Sequence, residues 1–266
     1  MHAKPDLRVA LKWKVIPSGS VITAVMSLEG FSMRCFDNTH DSIDFGGSRL
    51  TDAELATANL TGIRKLSLRM TDVSDAGLKT VGGFGGLQYL DISQNSIGDL
   101  GLSRLNGLRN LRTLLIDSTQ ITNAGLEVLR TMPWLTRIDL DFIAIGDQAL
   151  DILCGLPDLQ ELSLFGTQIS NDGIHFLDSL PDLHTLDVGE TNLDDRSVPT
   201  ICQLSRLRNL GLFDTKISDS GLSDLSGMSD LQSIEIGKTL VTEKGVAQFK
   251  LSLPNCIVEH DVYPAT

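Results

Sequence analysis

Hydrophobic positions recur along this chain with a period of 24 residues, eight times in succession and without insertion or deletion. Each unit opens on an aliphatic residue: Ile63, Leu87, Leu111, Leu135, Leu159, Leu183, Leu207 and Leu231. A fixed period of this length is the signature of a protein built from stacked repeats. Because the repeated positions account for the fold, we expect function to lie in residues that differ between units.

Each unit carries the pattern of a short strand, a turn and a short helix. In residues 159–182, Leu162 and Leu164 alternate with polar residues, as in a strand with one buried face. Ser170 then occupies a helix N-cap position, and apolar residues follow at three-residue intervals as far as Leu180. One unit cannot bury its own apolar residues. The pattern therefore predicts stacked units with a parallel sheet on one face and helices on the other.

Two polar positions and one glycine position repeat around the start of each helix. The N-cap position holds Ser74, Gly98, Thr122, Gly146, Ser170, Asp194, Ser218 and Thr242. The next residue is always an acid or an amide, which complements the helix dipole. Two residues later, six of the eight units have glycine, as at Gly173. This glycine indicates a close approach between neighbouring coils.

The motif L-x-x-L-x-L followed by T-x-I-[ST]-[DN]-x-G-L-x-x-L is clearest in residues 111–134 and 207–230. It resembles the leucine-rich repeat family, in a 24-residue bacterial-type subtype with Thr where many members have Asn. The resemblance implies an α/β solenoid, a curved horseshoe with a parallel sheet on its concave face and short helices on its convex face. It also implies a binding module rather than an enzyme. Asn95 and Ile143 depart from the Thr of the motif, and Val198 with Pro199 predicts a helix that begins late or frays.

The chain divides into three predicted segments. Residues 1–39 are expected to form an N-terminal cap, a β-hairpin with strands at 7–16 and 21–28. Residues 40–254 are expected to form the solenoid, with one degenerate unit before the eight regular ones. Residues 255–266 are expected to supply a closing strand and a tail, because the last coil would otherwise expose its core.

Charge bounds the class of partner. The chain has 34 acidic and 22 basic residues, for a formal net charge of −12. This balance disfavours nucleic acid and anionic membranes and favours basic partners. No apolar stretch reaches the roughly 20 residues of a membrane-spanning helix, so no membrane insertion is expected.

Cysteine spacing bears on the compartment. Cys154 and Cys202 share a repeat position two units apart, while Cys35 and Cys256 lie at opposite ends. Two strand spacings are about 10 Å, beyond the reach of a disulfide. No disulfide and no zinc site is expected, which favours the cytoplasm. A secreted or periplasmic location stays open, because residues 21–28 could be a degenerate signal peptide.

Positions 3, 5, 7 and 8 of each unit should face outward from the predicted sheet. In units two to seven they hold eight acids: Asp91, Asp117, Asp139, Asp141, Glu161, Asp187, Glu190 and Asp214. They hold the base Arg137 and four aromatic residues, Tyr89, Phe142, Phe165 and Phe213. Aromatic residues are enriched at binding hot spots. These positions predict a concave surface that binds a protein partner through a basic segment.

Two local arrangements refine this surface. Phe165, Gly189 and Phe213 share position 7 in consecutive units, so two rings about 10 Å apart are expected to flank a glycine floor. We expect this notch to accept a Lys or Arg side chain, bordered by acids at Asp187, Glu190 and Asp214.

Asp117 and Asp141 are predicted to lie about 5 Å apart on adjacent strands, where like charges repel and raise a pKa. The compensating charge could be Arg137, a partner's lysine, or a calcium ion with help from Asp139. Solvated acids remain the simplest interpretation, and no metal or cofactor is assigned.

Catalysis has little support in this pattern. Units without insertions offer no deep cleft, and the five histidines are scattered without a nearby nucleophile. We predict a monomeric, non-enzymatic protein-interaction scaffold. The alternatives left open are a substrate-receptor subunit of a larger complex, such as a ubiquitin-ligase-type adaptor, and a glycan-binding or surface-binding structural protein.

Overall fold

The computed structural model describes residues 41–58 and 60–260. The hairpin predicted in residues 1–39 and the end of the predicted tail lie outside the described residues. Within them, ten parallel strands form one sheet in chain order, so that every strand pairs with its neighbours in sequence. The predicted α/β leucine-rich repeat solenoid is confirmed.

The strands are three residues long and occupy positions 3 to 5 of each unit. They are β1 Ser42–Asp44, β2 Lys65–Ser67, β3 Tyr89–Asp91, β4 Thr113–Leu115, β5 Arg137–Asp139, β6 Glu161–Ser163, β7 Thr185–Asp187, β8 Asn209–Gly211, β9 Ser233–Glu235 and β10 Ile257–Glu259. The register never slips, and equivalent positions pair throughout, as Leu90 pairs with Leu114. Positions 7 and 8, which the sequence analysis assigned to the strand, lie in the turn that follows it.

Short helices cover the opposite face. They are α1 Asp52–Thr57, α2 Asp75–Val81, α3 Asp99–Ser103, α4 Asn123–Leu126, α5 Asp147–Leu153, α6 Val198–Ile201, α7 Asp219–Leu225 and α8 Glu243–Ser252. Tighter 3₁₀ turns occupy Glu127–Thr131, Ile174–Ser179 and Asp195–Ser197. Pro199 stands at the first turn of α6, so this helix begins late, as the sequence predicts.

The aliphatic residues at positions 1, 4 and 6 form one continuous core between sheet and helices. Leu87, Leu90 and Ile92 are fully buried, and their equivalents in the other regular units are nearly so. Phe45, Leu50 and Leu55 of the first described coil join the same core. Each coil therefore buries its apolar residues against its neighbours, since it has no core of its own.

The chain leaves each strand through a left-handed residue at position 8. Met70, Phe142 and Lys238 have φ of 54°, 54° and 55°, and among the described residues Gly47 and Gly166 are the glycines at this position, with φ of 73° and 67°. The threonine that follows fastens the turn, as when Thr167 Oγ1 donates to the carbonyl of Leu164 at 2.6 Å. This turn fixes where the side chains at positions 7 and 8 stand relative to the sheet.

Aspartates at the helix starts join consecutive coils. Asp99 accepts hydrogen bonds from the backbone N–H and the hydroxyl of Thr122, both at 2.8 Å. Equivalent bonds link Asp195 to Ser218 and Asp219 to Thr242. The acids predicted to complement helix dipoles therefore also hold the cap of the next helix.

The three described cysteines, Cys154, Cys202 and Cys256, are free. No helix in residues 41–58 or 60–260 combines the length and apolar character needed to cross a membrane.

Candidate functional site

Eight of the fourteen residues predicted to bind a partner form two rows across the concave side. The acidic row consists of Asp91, Asp139 and Asp187 at position 5, with Asp117 and Asp141 at position 7. The aromatic row consists of Phe142, Phe165 and Phe213 in the turns after the strands. Because the register is constant, both rows cross the strands. The aromatic row lies beyond the position-5 acids, toward the carboxyl ends of the strands, in line with Asp117 and Asp141.

The acidic row is less exposed than its sequence positions indicate. Asp91 and Asp117, predicted to face solvent, are buried, with only 6% and 8% of their surface exposed. Asp139, Asp141 and Asp187 are half-buried. The prediction of exposure was wrong for the first two, because strands only about 4.8 Å apart bring neighbouring side chains over them.

One oxygen of each position-5 aspartate serves the backbone. Asp91 accepts from Ser93 N–H at 3.0 Å, and Asp139 accepts from Asp141 N–H at 3.1 Å. Asp187 accepts from Gly189 N–H at 2.9 Å. The strand ends at position 5, so this carboxylate supplies an acceptor for an amide just beyond it. These acids therefore shape the turn as well as charge the surface.

The negative charges of Asp117 and Asp141 are balanced by groups other than Arg137, a partner's lysine or a calcium ion. Asp117 forms an ion pair with Arg69, which reaches it across an intervening strand with 3.0 Å between Nη1 and Oδ1. Asp141 accepts from Ser163 Oγ at 2.5 Å and from Phe165 N–H at 2.9 Å.

Arg137 does not compensate that pair, because its guanidinium lies 2.9 Å from Glu161. Within the described residues, no group of three or more His, Cys, Asp or Glu is arranged to hold a metal ion.

Burial raises the pKa of the acidic row. Desolvation is the largest cause for Asp91, Asp141 and Asp187, whose pKa values all lie above the usual range. Desolvation, followed by the charge of Asp141, raises the pKa of Asp139 to about 6. The pKa of Tyr89 is also raised, first by burial and then by Asp91. Keeping these desolvated carboxylates ionised therefore costs free energy, and a bound cationic ligand would lower that cost.

The aromatic row is a continuous stack rather than a notch. The rings of Phe165 and Phe213 lie 6.1 Å apart at an interplanar angle of 26°, and Phe142 meets Phe165 edge-on at 5.2 Å. The expected 10 Å gap is therefore absent. The ring of Phe165 leans over Gly189, where an added Cβ would lie 2.6 Å from Cδ2.

The glycine floor is consequently covered by the ring it was expected to expose. Gly166 makes room for Phe142 in the same way, with an added Cβ 2.6 Å from Cδ1. Glycine at these positions lets each ring lie flat across the neighbouring coil. Phe142 remains 55% exposed although it occupies a left-handed conformation that is unfavourable for a bulky residue.

Two basic residues belong to this surface although the sequence analysis did not include them. Arg69 pairs with Asp117, and Lys238 Nζ stands 4.8 Å from the centre of the Phe213 ring. They occupy positions 7 and 8 of units one and eight, whereas only units two to seven were considered. Extending the comparison of positions 7 and 8 to all eight units would have identified both Arg69 and Lys238. Glu190 and Asp214 are exposed at the rim in left-handed turns.

Comparison with known proteins agrees with this architecture. A family model described as Leucine Rich repeat matches residues 87–105. Curated protein sequences give no match. The ladder of strands, the repeat and the family match define the chain as a leucine-rich repeat protein. Solenoids of this kind present extended concave surfaces that commonly serve protein–protein interaction.

Solved structures of several repeat proteins are similar. The plant peptide hormone receptor RGFR1, solved in complex with RGF2, superposes with a TM-score of 0.51 at 18% identity, over 83% of this chain and 40% of the receptor chain. Internalin C2 of Listeria monocytogenes gives 0.49 at 24% identity, over 83% and 80%. A leucine-rich repeat protein of Leptospira interrogans gives 0.47 at 18%, over 77% and 62%. These likenesses concern the fold.

Proposed function

We propose that this protein is a non-enzymatic scaffold that binds a basic segment of a partner protein on its concave face. The observation that carries the proposal is the desolvated acidic row. Asp91, Asp139, Asp141 and Asp187 have raised pKa values, and none forms an ion pair with a basic residue in the described part of the chain. Lysine or arginine side chains of a partner would supply the missing positive charge.

The aromatic row supports the same proposal from the apolar side. Phe142, Phe165 and Phe213 offer contiguous ring surface next to the carboxylates, and Lys238 already places an ammonium group on the outer ring. That contact is an intramolecular example of the interaction expected from a partner. Aromatic residues bordered by charge are a common composition of binding hot spots.

A binding experiment with synthetic peptides tests the proposal. A fluorescently labelled lysine-rich peptide of about ten residues is titrated with the full chain, beside a glutamate-rich peptide of equal length. We expect binding of the basic peptide alone, weakening steeply as salt rises.

The variant D139N/D187N should reduce the affinity at least tenfold. The matched control is D178N/D224N, which removes the same charge from exposed positions on the convex side. Equal loss in both variants would mean that net charge, and not the concave surface, attracts the peptide. That result would overturn the proposal.

A further inference from the structure

The acids at position 5 alternate along the sheet. Asp91, Asp139 and Asp187 stand on every second strand, and Leu115 and Ser163 stand between them. On the far side of Asp187 the paired residue is Gly211, where any added Cβ would overlap the carboxylate. Between Asp91 and Asp187, no two position-5 acids stand on adjacent strands, which limits repulsion between like charges. The result is a row of charges with a regular spacing of two strands.

That spacing can be compared with the repeats of possible ligand conformations. Two strand separations are about 9.6 Å. A polyproline II helix returns to the same face every third residue, about 9.3 Å along its axis. An extended β segment returns every second residue, about 6.7 Å. An α-helix returns after seven residues, about 10.5 Å.

Over the two intervals from Asp91 to Asp187, the mismatch is about 0.6 Å for polyproline II, 1.8 Å for the α-helix and nearly 6 Å for the β segment. Side chains on the inner side of a curved sheet converge, which shortens the spacing and disfavours the α-helix further.

The aromatic row runs alongside and provides the second surface that such a segment needs. The stacked rings of Phe165 and Phe213, with the edge-on ring of Phe142, follow β5, β6 and β8 and border Asp139 and Asp187. Ser93 and Asp117 occupy the equivalent turns after β3 and β4. Polyproline II segments dock on aromatic strips because their prolines present a preformed apolar face at low entropic cost. The interior strands have both edges paired within the sheet, so adding a strand to them is not available as a binding mode.

We infer that the concave face recognises a polyproline II segment with lysine or arginine at every third residue, lying across strands β3 to β7. The basic side chains meet Asp139 and Asp187 in register and reach the small exposed part of Asp91. The prolines or aliphatic residues between Asp139 and Asp187 lie on the aromatic row. This inference rests on the proposed function and specifies the partner's conformation and periodicity. Charge complementarity, together with the aromatic strip, selects this occupant.

Peptides of equal composition and charge separate periodicity from charge. The probes are K-P-P-K-P-P-K, with lysines in register, and K-K-K-P-P-P-P, with lysines clustered. A third peptide, E-P-P-E-P-P-E, controls for charge. We expect the first peptide to bind the full chain at least tenfold more tightly than the second, and the third not to bind. Equal affinity of the two lysine peptides would overturn the inference and leave the proposed function intact. Failure of both to bind, or equal binding of the glutamate peptide, would overturn the proposed function as well.

A double-mutant cycle tests the register itself. The central lysine is replaced in K-P-P-A-P-P-K, and both this peptide and K-P-P-K-P-P-K are titrated against the wild type and D139N. Asparagine retains an acceptor for the Asp141 amide, so the turn should be preserved, which circular dichroism can verify. We expect D139N to weaken the three-lysine peptide about tenfold and the two-lysine peptide less than twofold. Equal weakening of both peptides would show that no lysine is matched to Asp139.

Discussion

The carboxylate of Asp99 occupies the space that a Cβ on Gly125 would need, so the two residues are sterically linked across neighbouring coils. The same relation joins Asp147 to Gly173 and Asp219 to Gly245. Two of the eight units have another residue at this glycine position, Ala149 and Ser197. In both cases the facing residue of the preceding coil is an asparagine instead of an aspartate, Asn123 for Ala149 and Asn171 for Ser197.

The amides of these two asparagines also hold the next helix cap less closely. Their oxygens accept at 3.3 and 3.2 Å, whereas the aspartates accept at about 2.8 Å. A close aspartate therefore requires glycine, and a more distant asparagine tolerates a Cβ.

This relation predicts the outcome of a double-mutant cycle. Gly125→Ala should destabilise the fold by roughly 1–3 kcal/mol, because the methyl group displaces Asp99 from the cap of the next helix. Asp99→Asn in the same chain should restore roughly 1 kcal/mol of that loss, since it recreates the pair found at Asn123 and Ala149. Urea unfolding of the four proteins measures the coupling. Strictly additive effects would show that the two positions are independent.

The raised pKa of Asp139 predicts how stability depends on pH. Its pKa is about 6 in the folded protein against 3.8 for the free side chain, so the folded state binds more protons between pH 4 and pH 6. Stability therefore falls as pH rises through this window, and the penalty persists at pH 7. Asp139→Asn should raise the free energy of unfolding at pH 7 by roughly 1–2 kcal/mol. The full shift would imply about 3 kcal/mol, but solvent at the concave face screens part of it.

The control for this measurement is a carboxylate with the opposite shift. Hydrogen bonds from the backbone and side chain of Thr242 lower the pKa of Asp219. Asp219→Asn should therefore destabilise the protein at pH 7 and have a smaller effect near pH 3. Urea midpoints at pH 3, pH 4 and pH 7 distinguish the two cases, because the Asp139→Asn effect changes between pH 4 and pH 7 and the Asp219→Asn effect changes between pH 4 and pH 3. An Asp139→Asn gain that is equal at both values would contradict the assignment of the raised pKa.

The repeating part of this structure could be predicted from the sequence because the same residue type at the same position in many units identifies its structural role. The strand at Leu162 and the caps such as Ser218 each follow from a residue type at a fixed position. The helix expected after Ser170 is absent, because a turn follows it and a 3₁₀ segment begins only at Ile174. The candidate surface depends instead on side-chain directions. That Phe165 leans over Gly189 depends on a torsion angle that a strand-spacing estimate cannot contain. That Arg69 reaches Asp117 depends on the length of arginine, which spans an intervening strand.

Replacing Asn95 with threonine, the residue that most units have at this position, should lower the stability of the fold. The Asn95 amide group donates to the carbonyls of Leu68 and Ile92, and its oxygen accepts from the N–H and hydroxyl of Thr71. Threonine would keep the bond within its own turn and lose those to the preceding coil. Asn95→Thr should therefore cost roughly 1–3 kcal/mol, since buried backbone groups lose their partners.

The matched control for Asn95 is Thr119→Ser, which keeps the hydroxyl bonded to the carbonyl of Ile116. This change should leave the urea midpoint nearly unaffected. If Asn95→Thr were equally harmless, the bonds that Asn95 makes to Leu68 and Thr71 of the preceding coil would contribute little to stability.

Binding of a basic peptide should itself depend on pH through Asp139. At pH 5 this carboxyl is largely protonated, given a pKa of about 6, whereas lysine remains charged. Asp141 and Asp117 raise the Asp139 pKa and Arg137 lowers it, so these are the charges that a bound lysine adds to. We expect the affinity for K-P-P-K-P-P-K to rise roughly three- to tenfold between pH 5 and pH 7 at constant ionic strength. Fluorescence anisotropy across that range, repeated with D139N, provides the measurement. The variant should give a flatter profile, and an unchanged slope would assign the pH dependence to another group.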